Sequence, residues 1–495
     1  MKKTLVFLMA FAMLLTTCLT GCQLFGKKDE TSSENTETTT ASPSGDDTAS
    51  QNEILDIPDD LDYGDEEFVI LTYNSNVKEF GDTAATDVIS QTQVERDAKV
   101  EDELGVSFNI KTMNGQWVDR LTYADTVHQN VFGGSKSWDL IGAYSFVPPN
   151  LSMRGDLVDL RTTEYLNFSK AWWPQFMVDV TTVNDKTFFI SGDVSINTLY
   201  EMIPVFFNIS LVQAHGFDVS ELYNMVREGR WTMENFFTMI QDASVQSGDM
   251  EWNQDDLYAF SVLDNTCFDA FYYATGLSAF KENSDGSLSV SDRDFGGNQI
   301  LDIFEMACDA IDTYHSLGYN TAQPLEANLA LFATYKLYNM RLEKNPNQYG
   351  VLPWPKYEEG TDTNYQTLLG SPHTQYCIPK DVDDPDRSSA VLEMLAYQSY
   401  VDVTPVVFEE TMKVRYSHDE NASQMYDIIR DGLTTDLGIL YYDAFVEINS
   451  GDVASIFRNM IINPTKRTTS WTTNYEQYYQ SALVDVQNQL NEIYG

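Results

Sequence analysis

Polar and aromatic residues follow two of the predicted buried strands, at the point where each strand ends. Residues 68–71 form a short apolar strand, and Tyr73 and Asn74 come directly after it. Residues 138–141 form another strand, and Tyr144 follows it behind a glycine. Ligands of open α/β sheets bind beyond the carboxyl ends of the strands, so these side chains are candidates for holding a solute by ring stacking and hydrogen bonding. A plain loop accounts for Tyr73 and Asn74 equally well.

Sequence patterns typical of catalysis or metal binding are missing. The chain has no Gly-x-Ser-x-Gly, no Gly-x-x-x-x-Gly-Lys followed by Ser or Thr, and no His-Glu-x-x-His, and its five histidines do not have the spacing of metal ligands. Residues 381–386 look like a calcium-binding loop, but Pro385 interrupts them, so a helix cap and a turn explain them better. A carboxylate pair for glycoside hydrolysis stays open, because 75 acidic residues always offer some pair. We therefore predict no metal, no cofactor and no enzymatic activity.

The elements that would position the candidate residues begin with a β-α-β unit. A charged helix over 93–104 ends at Gly105, and an alternating strand over 106–110 follows it. Together with the strand over 68–71, this order predicts a parallel strand pair with a right-handed crossover.

The stretch 203–240 predicts a strand, a helix, a loop and a second helix. Residues 203–208 are apolar and aromatic, Gly216 is placed to stop the first helix, and Thr232 is placed to cap the second. An ordinary strand-to-helix crossover of some other α/β protein would explain this order as well.

The remaining elements are predicted from turns, periodicity and capping signals. Asn184–Asp185 and Asp285–Gly286 mark hairpin turns. The last helix should begin at a capping box of Thr473 and Glu476 and bury one apolar stripe. Further predicted helices cover 298–317, 332–341 and 387–400, and further predicted strands cover 349–353 and 370–378.

The amino-terminal 22 residues predict an export signal. Lys2 and Lys3 precede an apolar run over 5–15 that is too short for a comfortable membrane span. The following Leu-Thr-Gly-Cys resembles the lipobox of bacterial lipoproteins, which implies cleavage before Cys22 and a lipid on that cysteine. An ordinary cleaved signal with an incidental cysteine is the alternative. Residues 23–60 contain almost no large apolar residue, so we predict a disordered tether there.

The composition limits the classes of partner. The chain carries 75 acidic against 30 basic residues, a formal net charge of −45, which argues against nucleic acid and against anionic lipid bound through charge. About 435 residues remain after the tether, enough for two or three domains by the usual domain size. Cys267, Cys308 and Cys377 have apolar flanks, and we expect buried free thiols.

Several motifs, each weak alone, follow one another in a specific order. They are the pair Trp172-Trp173, Phe207-Asn208, Arg230-Trp231-Thr232, the segment 264–290, Tyr349-Gly-Val-Leu-Pro353 and the last helix. Their order resembles that in the family 1 extracellular solute-binding proteins, the sugar receptors of ABC importers. The chain is most similar to the large lipoprotein members of Gram-positive bacteria, which carry a Trp-Trp pair before the crossover and Leu-Pro-x-Pro-Lys late in the chain. One or both tryptophans of that pair should be core.

The resemblance implies an α/β protein with a two-lobe periplasmic-binding-protein-like fold of type II. Each lobe would be a mixed sheet flanked by helices, and the chain would cross the hinge more than once, near 200–204, near 370–376 and once further on. By this pattern the first lobe covers 64–202 and 371–430, and the second covers 203–370 and the carboxy-terminal helices over 431–495.

The resemblance also implies a function. The protein would be a monomeric lipoprotein, anchored through its lipid to the extracellular face of the cell membrane. It would capture a carbohydrate, an oligosaccharide in our interpretation, between its lobes and deliver it to the transmembrane subunits of an ABC permease. The alternatives are a surface lipoprotein enzyme acting on polysaccharide and a receptor for another solute such as a peptide. From loop position, the predicted ligand-binding residues are Tyr73, Asn74, Tyr144, Asn265, Phe268, Asp269 and Trp354.

Overall fold

The computed structural model describes residues 53–248, 251–319, 325–341, 348–360, 364–417, 419–443 and 456–495. The predicted export signal, Cys22 and residues 23–52 of the predicted tether lie outside this part of the chain. The prediction of a tether is wrong for residues 53–60, because Ile57 is buried in the core and the Lys170 ammonium donates to the Ile54 carbonyl at 2.6 Å. No helix within the described ranges is long and apolar enough to cross a membrane.

Two sheets form the centres of two lobes, with order β14-β3-β1-β2 in the first and β10-β7-β11-β6-β12 in the second. Smaller pairs are β13 with β15, β4 with β5, and β8 with β9. The strands are β1 (Glu66–Tyr73), β2 (Val106–Met113), β3 (Leu140–Tyr144), β4 (Thr182–Val183), β5 (Lys186–Thr187), β6 (Val205–Asn208), β7 (Tyr258–Val262), β8 (Phe280–Glu282), β9 (Leu288–Val290), β10 (Leu317–Tyr319), β11 (Ala330–Thr334), β12 (Tyr349–Leu352), β13 (Thr367–Leu368), β14 (Thr374–Cys377) and β15 (Leu433–Thr434).

Helices flank both sheets. Short 3-10 or π segments cover Leu160–Thr162, Asn265–Asp269, Asp309–Thr313, Leu337–Arg341, Ser399–Val403 and Val406–Arg415. The α-helices are α1 (Val88–Leu104), α2 (Arg120–Phe132), α3 (Val147–Met153), α4 (Gln175–Thr181), α5 (Asn197–Tyr200), α6 (Ile209–Ala214), α7 (Val219–Arg227), α8 (Met233–Ile240), α9 (Ala270–Tyr273), α10 (Asp292–Gly296), α11 (Asn298–Cys308), α12 (Pro385–Gln398), α13 (Glu420–Asp431), α14 (Leu437–Leu440), α15 (Ile456–Ile462), α16 (Pro464–Arg467), α17 (Trp471–Tyr478) and α18 (Gln480–Tyr494).

The first sheet contains the predicted β-α-β unit. β1 pairs in parallel with β2 and with β3, and α1 connects β1 to β2. Gly105 ends α1 in the left-handed conformation, at a φ of 57°, and its N–H bonds back to the carbonyl of Glu101. β14 adds to β3 in the antiparallel direction, so the predicted return strand near 370–378 is present.

The second sheet has parallel pairing of β7 with β10 and β11, and antiparallel pairing of β6 with β11 and β12. The helix predicted over 332–341 is wrong, because β11 occupies 330–334 and only a 3-10 turn follows at 337–341. Every residue of β11 is buried, and an apolar run buried on both faces does not show the alternation by which a strand is recognised.

Three segments of the chain run side by side between the two sheets. The Ile203 N–H donates to the Leu368 carbonyl at 3.0 Å, and the Gly370 N–H donates to the Glu201 carbonyl at 2.8 Å. The Leu369 N–H donates to the Thr434 carbonyl, also at 2.8 Å. We call these segments, over 201–204, 367–372 and 433–436, the hinge. The first two overlap the crossings predicted near 200–204 and 370–376, which stay predictions.

The carboxy-terminal part differs from the prediction in two places. α13, which we expected on the first lobe, packs on β12 and α7 of the second, and Arg227 of α7 donates to the Gln424 side chain at 2.9 Å. The predicted capping box is wrong as well. Ser470 caps α17 by accepting from the Thr473 N–H, and a break at Tyr479 separates α17 from α18. The predicted apolar stripe is otherwise buried as expected.

The last helix contacts a hairpin from each lobe. The Asn491 amide oxygen accepts from the Leu288 N–H of the β8–β9 hairpin at 2.7 Å. At the other end of α18, the Tyr494 carbonyl accepts from the Asn184 side chain of the β4–β5 hairpin, also at 2.7 Å. Both hairpins have the predicted turns, and they touch directly through the Asn184 N–H and the Glu282 carboxylate at 3.0 Å.

Both members of the Trp172–Trp173 pair belong to the core. They are 0% and 2% exposed, and their indole N–H groups donate to the two carboxylate oxygens of Glu393 at 3.1 and 2.8 Å. Burial raises the pKa of the Glu393 carboxyl to about 7, although the two indole N–H groups oppose the shift.

The raised pKa of Glu393 predicts pH-dependent stability. A carboxyl group with a higher pKa in the folded than in the unfolded state adds stability below the unfolded value of 4.5, and this is lost as pH rises through about 7. The free energy of unfolding of the wild type should fall by about 3 kcal/mol between pH 4.5 and 7, and Glu393→Gln should abolish this fall. Urea unfolding at a series of pH values measures it. Glu103→Gln, on an exposed position of α1, should keep the wild-type slope, and an unchanged slope in Glu393→Gln would contradict the assignment.

Candidate ligand-binding cleft

A cavity of about 550 Å³ lies between the two sheets, at the carboxyl ends of their parallel strands. Trp117 follows β2, Tyr144 ends β3, Asp264 follows β7 and Lys336 follows β11, and all four line the cavity. The hinge segment around Gly370 forms another part of the lining. Parallel strands present their carboxyl ends at the same edge of a sheet, which is where α/β proteins bind ligands.

One wall of the cavity is aromatic. The rings of Trp117 and Tyr442 lie 5.4 Å apart, and Phe146 stacks on Tyr442 at 5.1 Å with an angle of 18° between the planes. Tyr144 lies 5.2 Å from Phe146 and 6.5 Å from Trp117. Tyr144 and Phe146 are buried, whereas Trp117 is 46% exposed. The four rings offer flat apolar surfaces with hydroxyl groups at the tyrosines.

The second wall carries charges that are already paired. The Lys336 ammonium lies 3.1 Å from a Glu201 carboxylate oxygen and donates to the Ser371 carbonyl. Burial lowers the pKa of Lys336, but the carboxylates of Glu201 and Asp264 raise it by more, so the net shift is upward and the ammonium stays charged. Arg458 pairs with Asp269 at 3.3 Å.

Another ion pair stands behind the aromatic wall. The Arg120 guanidinium of α2 makes a bidentate contact with the Asp443 carboxylate, with a shortest distance of 2.6 Å, and both side chains are largely buried. The same guanidinium lies 3.7 Å from the centre of the Trp117 ring. Within the described part of the chain, no group of three or more His, Cys, Asp or Glu residues is arranged to hold a metal ion.

Comparisons with known proteins match the fold but not the sequence. No protein-family model and no curated protein matches the sequence. The galacto-N-biose/lacto-N-biose I-binding protein of the ABC transporter from Bifidobacterium longum, solved with lacto-N-biose, matches with a TM-score of 0.56 and 12% identity, over 86% of this chain and 98% of that chain. The cyclic α-maltosyl-1,6-maltose binding protein of Arthrobacter globiformis matches with a TM-score of 0.51 and 11% identity, over 87% of this chain and 99% of that chain.

An ABC substrate-binding protein of Listeria monocytogenes in complex with cycloalternan matches with a TM-score of 0.50 and 10% identity, over 83% of this chain and 98% of that chain. The chain has the two-lobe fold of ABC-transporter substrate-binding proteins. The fold class implied by the resemblance is therefore confirmed, and the cavity occupies the interlobe cleft of that fold.

Two of the predicted site residues, Tyr144 and Asp269, line the cleft of this substrate-binding-protein fold. Tyr73 and Asn74 line a separate cavity of about 480 Å³ beside β1. Tyr73 supports the cleft from behind, because its ring lies 6.3 Å from that of Tyr144. The Asn74 side chain accepts a hydrogen bond from the Gly115 N–H at 2.9 Å, which fixes the loop before Trp117.

Trp354 and Phe268 do not line the cleft. Trp354 is fully buried and packs edge-on against Phe271 at 4.8 Å, and Phe268 is 2% exposed and stacks on the same ring at 6.1 Å. The structure does not support Trp354 as a ligand-binding residue, because its indole is buried in the core of the second lobe. Asn265 lies in the 3-10 turn with Phe268, and its side chain is outside the described part.

Several cleft residues were missed for identifiable reasons. Trp117 follows β2 and Tyr144 ends β3. The strand predicted over 106–110 is three residues shorter than β2, which ends at Met113, so the sequence does not place Trp117 directly after a strand. Lys336 was not predicted, because the helix predicted over 332–341 does not show that this residue follows the end of a strand. Tyr442 and Arg458 come from the carboxy-terminal segment and reach the cleft only through long-range packing, for which the sequence carries no local signal.

The Lys336–Glu201 pair predicts a large loss of stability when one partner is removed. Lys336→Met should lower the free energy of unfolding by about 3–5 kcal/mol, because it leaves the Glu201 carboxylate buried without its cation. Adding Glu201→Gln should recover much of this loss, as measured by urea unfolding of both single variants and the double variant. Lys78→Met breaks the exposed pair with Asp82 and should cost less than about 1 kcal/mol. Equal effects of Lys336→Met and Lys78→Met would show that the buried pair is not a structural constraint.

Proposed function

We propose that the chain is the substrate-binding protein of an ABC importer, which captures a carbohydrate in the interlobe cleft and delivers it to a membrane permease. The observation that carries the proposal is the composition of the cleft lining. Four aromatic rings, one of which is Tyr442 of the carboxy-terminal segment, line the same cavity as the charged groups of Lys336, Asp264, Asp269 and Arg458. A pyranose ring has an apolar face that packs on an aromatic ring and hydroxyls that bond to charged and polar groups.

Three further observations support the proposal. The hinge consists of three segments that lie side by side, which suits the closure of two lobes around a ligand. The structures reported above with TM-scores of at least 0.50 are sugar-binding proteins by their descriptions. The cleft acids Asp264 and Asp269 are engaged, the first as a cap for the Thr266 N–H at 2.9 Å and the second with Arg458. Among the described residues that line the cleft, these two are the acids that a surface enzyme acting on polysaccharide could use as a catalytic acid or base.

The amino-terminal segment completes the proposal. Cleavage before Cys22 and lipidation of that cysteine would hold the protein at the extracellular face of the membrane, with residues 23–52 as the tether. The lobes would act there as a monomer, reached by diffusing sugar and by the permease.

Thermal unfolding tests the function. The probes are mono- and oligosaccharides, with peptides and amino acids as controls, and the protein is the chain without its signal segment, carrying Cys22→Ser. A ligand that binds only the folded state adds about 2.7 kcal/mol of stability at a hundredfold excess over Kd, so the Tm should rise with one class of sugar. The Tyr144→Ala variant should lose most of the rise. A rise with peptides alone, or product formation seen by chromatography, would replace the proposal by a peptide receptor or an enzyme.

The paired charges predict selectivity for uncharged sugars. Lys336 and Arg458 are each held by a carboxylate, so an anionic ligand would have to compete for them beside Asp264 and in the field of a strongly acidic protein. A neutral sugar should therefore bind at least about tenfold more tightly than the uronate that differs only by oxidation of its hydroxymethyl group, a difference of about 1.4 kcal/mol. Calorimetric titration of the two sugars measures it. Equal affinity for the two sugars would show that the cleft does not discriminate between neutral and anionic ligands.

The lipobox predicts that Cys22 controls attachment to the membrane. In a bacterial host that processes lipoproteins, the wild-type chain should fractionate with membranes and take up radiolabelled palmitate. Cys22→Ser should do neither, whereas Cys18→Ser should behave as the wild type. Membrane association of Cys22→Ser without label would contradict lipid anchoring at this position.

A further inference from the structure

Trp117 differs from the other tryptophans of the chain in its exposure. It is 46% exposed at the edge of the cleft, whereas Trp172, Trp173, Trp231, Trp354 and Trp471 are buried and Trp138 and Trp252 are half-buried. Its neighbour Val118 is 85% exposed and Leu121 is 39% exposed, so the apolar surface continues outward from the cleft along the start of α2. Exposed apolar surface that continues from a binding cleft is typical of an interaction site.

The indole of Trp117 is held in place although it is exposed. The Arg120 guanidinium covers one face of the ring at 3.7 Å and also donates to the Trp117 carbonyl. Arg120 is itself fixed by the bidentate contact with the buried carboxylate of Asp443. Tyr442 lies against the ring at 5.4 Å. A side chain fixed by its neighbours loses little conformational freedom when a partner binds, which favours its use as a platform.

Trp117 lies where a ligand held by the inner rings of the cleft would extend outward. The inner rings of Tyr144 and Phe146 are buried, and Trp117 lies 6.5 and 6.3 Å from them on the exposed side of the same wall. A short sugar contacting the inner rings would leave the exposed part of the indole uncovered. A longer one would pass over it as it leaves the cleft.

We propose that Trp117 forms an outer subsite that makes the affinity for oligosaccharides depend on their length. This rests on the proposed function. The partner of the exposed indole is one further pyranose ring of a neutral oligosaccharide, whose other rings lie in the cleft. The C–H face of that ring stacks on the indole, with Arg120 as a positioning residue behind it. No covalent step is involved.

The test measures affinity against chain length. Malto-, cello-, xylo- and manno-oligosaccharides of one to five units are titrated by calorimetry into the chain with Cys22→Ser, and the series that binds is repeated with Trp117→Ala. The shortest binding member should keep its wild-type Kd within about twofold, while the longer members should bind about tenfold more weakly and lose their advantage over it. Trp117→Phe, which keeps a ring, should restore most of the length dependence. Phe132→Ala removes an exposed ring at the other end of α2, outside the cleft lining, and should leave every Kd unchanged.

The outcomes separate this inference from the function on which it rests. If the wild type binds no saccharide of any length, the proposed function fails, and the outer subsite fails with it. If the wild type binds but Trp117→Ala weakens short and long members equally, Trp117 is an inner contact and the inference is overturned. Unchanged affinity for every member overturns it as well. Quenching of tryptophan fluorescence by long members only, lost in Trp117→Phe, would support it independently.

Discussion

The ion pair between Lys336 and Glu201 connects the parts of the molecule on which the cleft depends. Lys336 follows a central strand of the second sheet, Glu201 begins the first hinge segment, and the Ser371 carbonyl that also receives the ammonium belongs to the second segment. One side chain therefore joins a sheet to two crossings of the hinge while it forms part of the cleft lining. Because both charges are buried, neither can leave the other without a large desolvation penalty, which fixes the base of the cleft.

The two walls of the cleft follow from the same topology. Each sheet brings the carboxyl ends of its parallel strands to the cleft, and the loops beyond those ends supply the side chains. The loops of the first sheet supply three of the four rings, those of the second supply Asp264 and Lys336, and the carboxy-terminal segment adds Tyr442 and Arg458. A ligand in the cleft would therefore meet both apolar surface and hydrogen-bonding groups. The buried ion pairs keep those charged groups oriented before a ligand arrives, which lowers the ordering cost of binding.

Much of the fold could be predicted from local patterns. The β-α-β unit has a glycine stop and an alternating strand, and both hairpins have turn residues with a specific backbone preference, so these elements have signals within a few residues. β11 had no such signal, since a strand buried on both faces lacks alternation and its length fits a helix turn as well.

The site could be predicted less well than the fold. Loop position identified Tyr144 and Asp269, but it could not decide whether the ring of Trp354 turns toward the cleft or into the core, because that depends on packing against Phe260 and Phe271. Arg458 and Tyr442 are brought to the cleft by the carboxy-terminal segment, hundreds of residues from the strands they face, and nothing in the local sequence shows that approach.

The position of the last helix limits how the protein can be altered. α18 is bonded to the β8–β9 hairpin of the second lobe through Asn491 and to the β4–β5 hairpin of the first through the Tyr494 carbonyl, and the carbonyl of Gly495 accepts from Lys186 at 2.8 Å. Residues 491–495 thus connect the lobes in addition to the hinge segments. A fluorescent protein or affinity tag fused after residue 495 would disturb these hydrogen bonds directly, so a sensor of lobe movement should carry its reporter elsewhere.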